Sequence, residues 1–201
     1  MDSIPPQPDC FLAGRLVRIG RLRFADLPEM AAWQPHANPL LESHNVRCNS
    51  PAAWRNWLRK RLQTRWVYAI RNLSGELVGH LSLRQINPPH SARLGITIAA
   101  DRVGCGYGQD AMCVFLDYFF GHLGFEEMRL DVSGANLRAR HVYRKLGFQQ
   151  IYSFWISAPR GMVDHLTAQK GIARHFQRGK ERYYEMRLRA SQWWPARAAL
   201  E

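Results

Sequence analysis

Two short stretches of this chain carry residue types that chemistry needs. The first runs Ile96-Thr97-Ile98-Ala99-Ala100-Asp101-Arg102-Val103-Gly104-Cys105-Gly106-Tyr107-Gly108-Gln109-Asp110-Ala111. An apolar strand-like run ends, three glycines alternate, and a helical segment begins near Gln109. Alternating glycines let the main chain curl close to a ligand and turn successive N–H groups inward. A helix N-terminus adds unpaired N–H groups and a partial positive charge. Together they form a cradle for a pyrophosphate, although a tight strand-to-helix turn needs the same glycines, and the loop alone leaves both readings open. No Lys-Ser or Lys-Thr follows it, which excludes a P-loop. G-x-G-x-G also differs from the dinucleotide fingerprint G-x-G-x-x-G, which usually opens a chain's first βαβ unit; only Asp131, at the end of the next strand, speaks for that alternative.

The second stretch is Asn136-Leu137-Arg138-Ala139-Arg140-His141-Val142-Tyr143-Arg144-Lys145-Leu146-Gly147-Phe148. Ala139, Val142, Tyr143 and Leu146 recur at i, i+3, i+4 and i+7 and share one helical face. Asn136 suits an N-cap, and Gly147 the left-handed residue that ends the helix. Those roles explain both residues without any function, and Tyr143 by itself reads as a half-buried core aromatic. Its phenol, with a reference pKa near 10, is also a proton donor that stays neutral at pH 7.

The elements that must hold these stretches are legible in outline. Leu16–Ile19 reads as a strand, and Asp26 as the cap of a helix from Leu27 to about Trp33. Pro35 and Pro39 interrupt the chain. Ser50-Pro51 opens a second helix with Trp54, Trp57, Leu58 and Leu62 on one face. Strands follow at Trp66–Arg71 and Glu76–Ile86, joined by a turn at Asn72–Gly75, and Leu94–Ala99 reads as a strand covered on both faces. A helix from Gln109 to Leu123, a strand at Glu127–Val132, the Asn136 helix, and strands at Gln149–Ile156 and Arg182–Leu188 complete the order β-α-α-β-β-β-α-β-α-β-β. Strand–helix–strand order requires a crossover, so the expectation is an α/β fold: a mixed sheet of six or seven strands with helices on both faces. Residues 157–181 read as a long, partly helical connection. The expected division is a loose segment at 1–13, one domain at 14–190 and a tail at 191–201.

The 201 residues suffice for one domain with a real core. The net charge of +12 is spread along the chain and favours anionic partners or a solvated arginine-rich face. No apolar run reaches membrane-span length, and the N-terminus lacks the pattern of a secretory signal, so the expected location is the cytoplasm. Cys10, Cys48, Cys105 and Cys113 form no C-x-x-C pair, and no histidine stands at metal-ligand spacing; free thiols and no metal are expected.

The glycine loop between strand and helix, followed about thirty residues later by N-x-x-A-x-x-x-Y-x-K-x-G-F, resembles the acetyl-coenzyme A site of the GNAT superfamily of N-acetyltransferases. The resemblance covers roughly residues 14–190 and is closest to the branch with ribosomal-protein and antibiotic acetyltransferases. It implies that the amides of Val103, Gly104, Cys105, Gly106, Tyr107 and Gly108, with the helix start at Gln109, hold the pyrophosphate. It further implies that the strand at Ile98 pairs with the pantetheine arm, that Asn136 hydrogen-bonds the same arm, and that Tyr143 protonates or stabilises the departing thiolate. The implied reaction is direct acetyl transfer to a primary amine: a protein N-terminus, a lysine or a small molecule. An acidic peptide or phosphorylated acceptor would suit the positive charge, and a homodimer is a further implication of the family.

The sequence departs from the family twice. Val103 stands where the loop usually begins with Arg or Gln, with Arg102 displaced by one. Arg93 stands where many relatives place a glutamate base, which leaves His80, His90, Asp131 and Ser133 as candidates. The competing reading is a binding module that retains acyl-CoA without turnover, or that holds nucleic acid through Arg55, Arg59, Lys60 and Arg65.

Overall fold

The computed structural model describes residues 11–45, 48–158 and 172–200. Nine strands form one sheet in the order β1-β2-β3-β4-β5-β6-β9-β7, with β8 pairing β9. They are β1 (Leu12–Ala13), β2 (Val17–Arg21), β3 (Trp66–Asn72), β4 (Leu77–Asn87), β5 (Ser91–Ile98), β6 (Glu127–Ser133), β7 (Gln149–Ser157), β8 (Phe176–Gln177) and β9 (Lys180–Arg189). Two of them, β1 and β8, are two-residue pieces, so the body of the sheet has the size expected. Every pairing is antiparallel except β5 with β6, and the helix between those two strands is the crossover that a parallel pair requires.

Among the described residues, five α-helices cover the sheet: α1 (Leu27–Ala31), α2 (Pro51–Leu62), α3 (Tyr107–Asp117), α4 (Leu137–Lys145) and α5 (Ala190–Ala198). The alternation of β3 sorts them into two layers. Val67 and Ala69 join Trp54 and Leu58 of α2 and Met30 of α1 on one face. Trp66, Tyr68 and Ile70 face the larger core, built on Met112, Phe115 and Leu116 of α3 together with Leu146 and Trp193. α2 starts where its sequence said, with the Ser50 hydroxyl accepting the Ala53 N–H at 3.1 Å and Pro51 in the first turn. Asp26 stands at the N-cap of α1, but its side chain bonds to none of that helix's N–H groups. That carboxylate accepts the Arg23 N–H and an Arg71 guanidinium N–H, both at 2.6 Å, and so ties the helix to β3. Beyond Pro39 the chain forms a short 3-10 helix, Pro39–His44, whose start is capped by the Asn38 side chain.

The stretch set apart as a C-terminal tail contains α5. Trp193 is fully buried and its indole N–H donates to Asp117 Oδ1 at 2.9 Å, while Arg197 donates to Oδ2 at 3.1 Å. A nine-residue segment with one buried indole shows little helical periodicity, and its anchor is a residue 76 positions away. Of the expected connection, residues 159–171 lie outside the described residues, as do 1–10 of the N-terminal segment; the remainder contributes a 3-10 turn at Ala173–His175 and β8. No helix among the described residues is long and apolar enough to cross a membrane.

Candidate functional site

The site begins where the sheet stops being a sheet. β5 and β6 pair from Ser91↔Glu127 to Leu94↔Leu130 and no further, although β5 runs on to Ile98 and β6 to Ser133. Each stays bonded on its outer side, β5 to β4 and β6 to β9. The inner edges of residues 95–98 and 131–133 therefore part as a wedge whose main-chain groups have no ladder partner there. A cavity of about 420 Å³ fills the wedge, and Gly95, Ile96, Thr97, Asn136 and Tyr143 line it.

Above the wedge, the chain leaves β5 through a 3-10 turn, Ala100–Arg102, and enters α3 through the glycine loop. Gly104 and Gly106 have φ of +93° and +84°, the left-handed region that favours glycine. A Cβ on Gly104 would stand in open space, so the loop bends there for a reason other than packing. No side chain among the described residues caps α3, which leaves its first-turn N–H groups available to an anion. Its Asp110 is turned away to accept the N–H groups of Leu16 and Val17 at 2.8 and 3.0 Å, which fixes the helix start against β2. Tyr107, Gly108 and Gln109 are half-buried at this helix start, whereas Cys105 is exposed. Val103 sits in the loop, and the displaced Arg102 is held by Glu76 and Asp101, not by the cradle. Its main-chain amides are left to do the holding.

Asn136 caps α4 by accepting the Ala139 N–H at 3.1 Å, and its residue also borders the cavity. Tyr143 lies on the cavity wall with its ring 5.8 Å from that of Phe148, and burial pushes its phenol up to about 12. It is therefore a neutral donor throughout the physiological range. At Ile98 the outcome is mixed: β5 runs to that residue, but the lining of the wedge cavity by this strand ends at Thr97. A larger cavity, about 870 Å³, lies between residues 12–16, α3 and α5; it touches the cradle only at Gly106 and Gln109 and shares no residue with the wedge.

The candidate bases separate clearly. Arg93 donates to Gln85, Asp131 and Glu185, and Arg84 donates to the other oxygen of Asp131 at 2.7 Å, so each oxygen of Asp131 is engaged by a guanidinium group. His90 is exposed and pairs with Glu126, away from the cavity. His80 is 6% exposed, with Nδ1 buried and unpartnered; desolvation and the nearby Arg61 push its pKa down to about 3, which makes it a poor proton acceptor. Ser133 lines the cavity, donates to Glu181 and accepts the Ala135 N–H at 3.1 Å, which leaves one lone pair of its hydroxyl free. Glu181, buried on β9, has its pKa raised by desolvation. Sequence reasoning missed Glu181 because it fell at the end of the unassigned connection, with only its acidic type as a signal. Of the basic residues proposed for nucleic acid, Arg55, Arg59 and Lys60 are exposed on α2, whereas Arg65 lines the cavity.

A family model described as "Acetyltransferase (GNAT) domain" matches residues 17–149. Among curated proteins, spermidine N(1)-acetyltransferase of Escherichia coli K12 is 37% identical over 75 residues, which are 37% of this chain and 40% of that protein. The Vibrio cholerae enzyme of the same name is 32% identical over 82 residues, 40% of this chain and 47% of its own length. The chain thus spans under half the length of these relatives. The structure of spermidine N-acetyltransferase from Vibrio cholerae in complex with CoA and spermine superposes with a TM-score of 0.67 at 20% identity, over 89% of this chain and 98% of that one. That likeness is one of fold. The donor of this family is acetyl-coenzyme A. With the match covering both the loop and the Tyr143 helix, this chain belongs to the GNAT acetyltransferase family.

Proposed function

We propose that the protein is an N-acetyltransferase that moves an acetyl group from acetyl-coenzyme A directly to a primary amine. What supports it most is three features on neighbouring elements: a glycine bend and uncapped helix start shortly after the end of β5, strand edges of β5 and β6 that part beyond Leu94 and Leu130, and the Tyr143 phenol at the wall of the wedge. Bound acetyl-coenzyme A supplies the acetyl group as a thioester. The amides of Val103 to Gly108 and the first turn of α3 hold the pyrophosphate through oriented N–H groups and the helix dipole. Residues 95–98 offer main-chain donors and acceptors to the pantetheine arm, with the Asn136 amide alongside. Tyr143 donates a hydrogen bond to the sulfur as it becomes a thiolate. Ser133 accepts a proton from the attacking nitrogen while passing its own to Glu181, whose raised pKa favours the protonated state. The free thiols Cys48, Cys105 and Cys113 suit the reducing interior of a cell, where we place the enzyme, and we take a homodimer as its working form.

The test is thiol release from acetyl-coenzyme A with a panel of primary amines, comparing the native protein with Tyr143→Phe. Amine-dependent release that the substitution suppresses is expected. No release with any amine, together with salt-sensitive nucleic-acid binding, would replace this reading with a binding module.

A further inference from the structure

Resting on the reading above that an amine is acetylated in the wedge, we propose that the acceptor side of the same cavity is a subsite for an anionic group. The amine would then belong to a molecule that carries a carboxylate or phosphate near its nitrogen. The cavity is lined by Arg61 on the last turn of α2, Arg65 just beyond it, and His80, Ser82 and Arg84 on β4. Among the described lining residues Asp131 is the one carboxylate, and it is already held by Arg84 and Arg93. Arg61 lies over the Trp57 ring at 4.5 Å, and no ion pair engages Arg61 or Arg65 among the described residues. Desolvation and the neighbouring Arg65 both press the Arg61 pKa down. Basic residues at a helix C-terminus are favoured by the dipole, and that suffices for the exposed Arg59 and Lys60. It does not account for guanidinium groups gathered around a cavity, where burial without a partner is costly. The buried, unpartnered Nδ1 of His80 on the same wall adds a further polar atom awaiting a ligand.

Guanidinium groups bind carboxylate and phosphate through paired, charge-assisted hydrogen bonds. A polycation such as spermidine would meet a wall of its own sign. The wedge thus differs in charge from what the name of the curated relatives would suggest for its acceptor.

The experiment measures kcat/KM for thiol release with L-glutamate, O-phosphoethanolamine, a hexapeptide beginning Asp-Glu, tyramine and spermidine. One of the three anionic amines should exceed tyramine and spermidine by about 10- to 100-fold, the range of one or two charge-assisted bonds. Which of the three leads tells a free carboxylate, a phosphate and a peptide apart. Its KM should rise with added salt, and Arg61→Gln and Arg65→Gln should each raise it about tenfold while CoA still protects the protein against heat. If Arg61→Gln fails to fold, Arg65→Gln carries the test alone. Spermidine or tyramine equalling the best anionic amine would overturn the subsite and leave the acetyltransferase reading intact. No turnover with any of the five would overturn both.

Discussion

Replacing Tyr143 with phenylalanine removes one hydroxyl and keeps the ring that packs near Phe148 at 5.8 Å. Burial moves this phenol from 10.0 to about 12, which separates its two protonation states by roughly 3 kcal/mol relative to water. A thiol has a reference pKa near 8.5, so full transfer from the phenol to the sulfur is uphill at neutral pH. The hydroxyl then acts mainly as a hydrogen-bond donor to developing thiolate charge, worth about 1.5–3 kcal/mol. The expected loss in kcat is therefore about 10- to 100-fold, less than a full general acid can contribute. The assay is thiol release at saturating acetyl-coenzyme A with the best amine of the panel, paired with thermal protection by CoA. Because the folded phenol ionises only near 12, Tyr143 adds no falling limb to the native pH–rate profile between pH 7 and 10. The same raised pKa gives stability that is complete below pH 10 and lost as the pH climbs toward 12. An unchanged kcat in the variant, or CoA protection lost in parallel with kcat, would refute the assignment.

Gly104→Ala puts a Cβ into open space at a φ of +93° and should weaken CoA binding about tenfold by titration. Gly75→Ala, equally strained at +87° but in the β3–β4 turn, should leave that affinity alone; equal effects would remove the cradle from the account. Trp193→Ala empties a fully buried site and should cost about 3–5 kcal/mol in urea unfolding, whereas a dispensable tail would give no change. Ser133→Ala should lower kcat about tenfold near neutral pH and recover as pH approaches the amine's own pKa, since deprotonated amine then arrives from solvent. A uniform loss across pH would mean that Ser133 acts only by holding Glu181.

What could be read in advance was local. Ser50, Asn136 and Gly147 announce helix ends because capping geometry depends on a few consecutive residues, and each stands where its type predicted. The glycine loop was legible for the same reason. Asp26 shows the limit: it stands at the N-cap of α1, yet its carboxylate bonds back to Arg23 and across to a guanidinium 45 positions away, not to the helix it precedes. The insertion of β9 between β6 and β7 is fixed by long-range pairing and leaves no mark in either strand. So too for α5, held by Asp117, and for the Ser133–Glu181 pair, whose members are 48 residues apart. The basic wall of the cavity draws on α2, the segment after it and β4, and only the folded sheet brings Arg61, Arg65 and Arg84 together. The charge excess was visible in the composition, but its location was not.

The most direct measurement is a crystal structure of the protein with coenzyme A. The account predicts pyrophosphate oxygens accepting N–H bonds from the Gly104–Gly108 loop and the start of α3, with the thiol within hydrogen-bonding reach of the Tyr143 hydroxyl. Coenzyme A lodged instead in the cavity between β1 and α5, or its sulfur remote from Tyr143 with the wedge left closed, would contradict it.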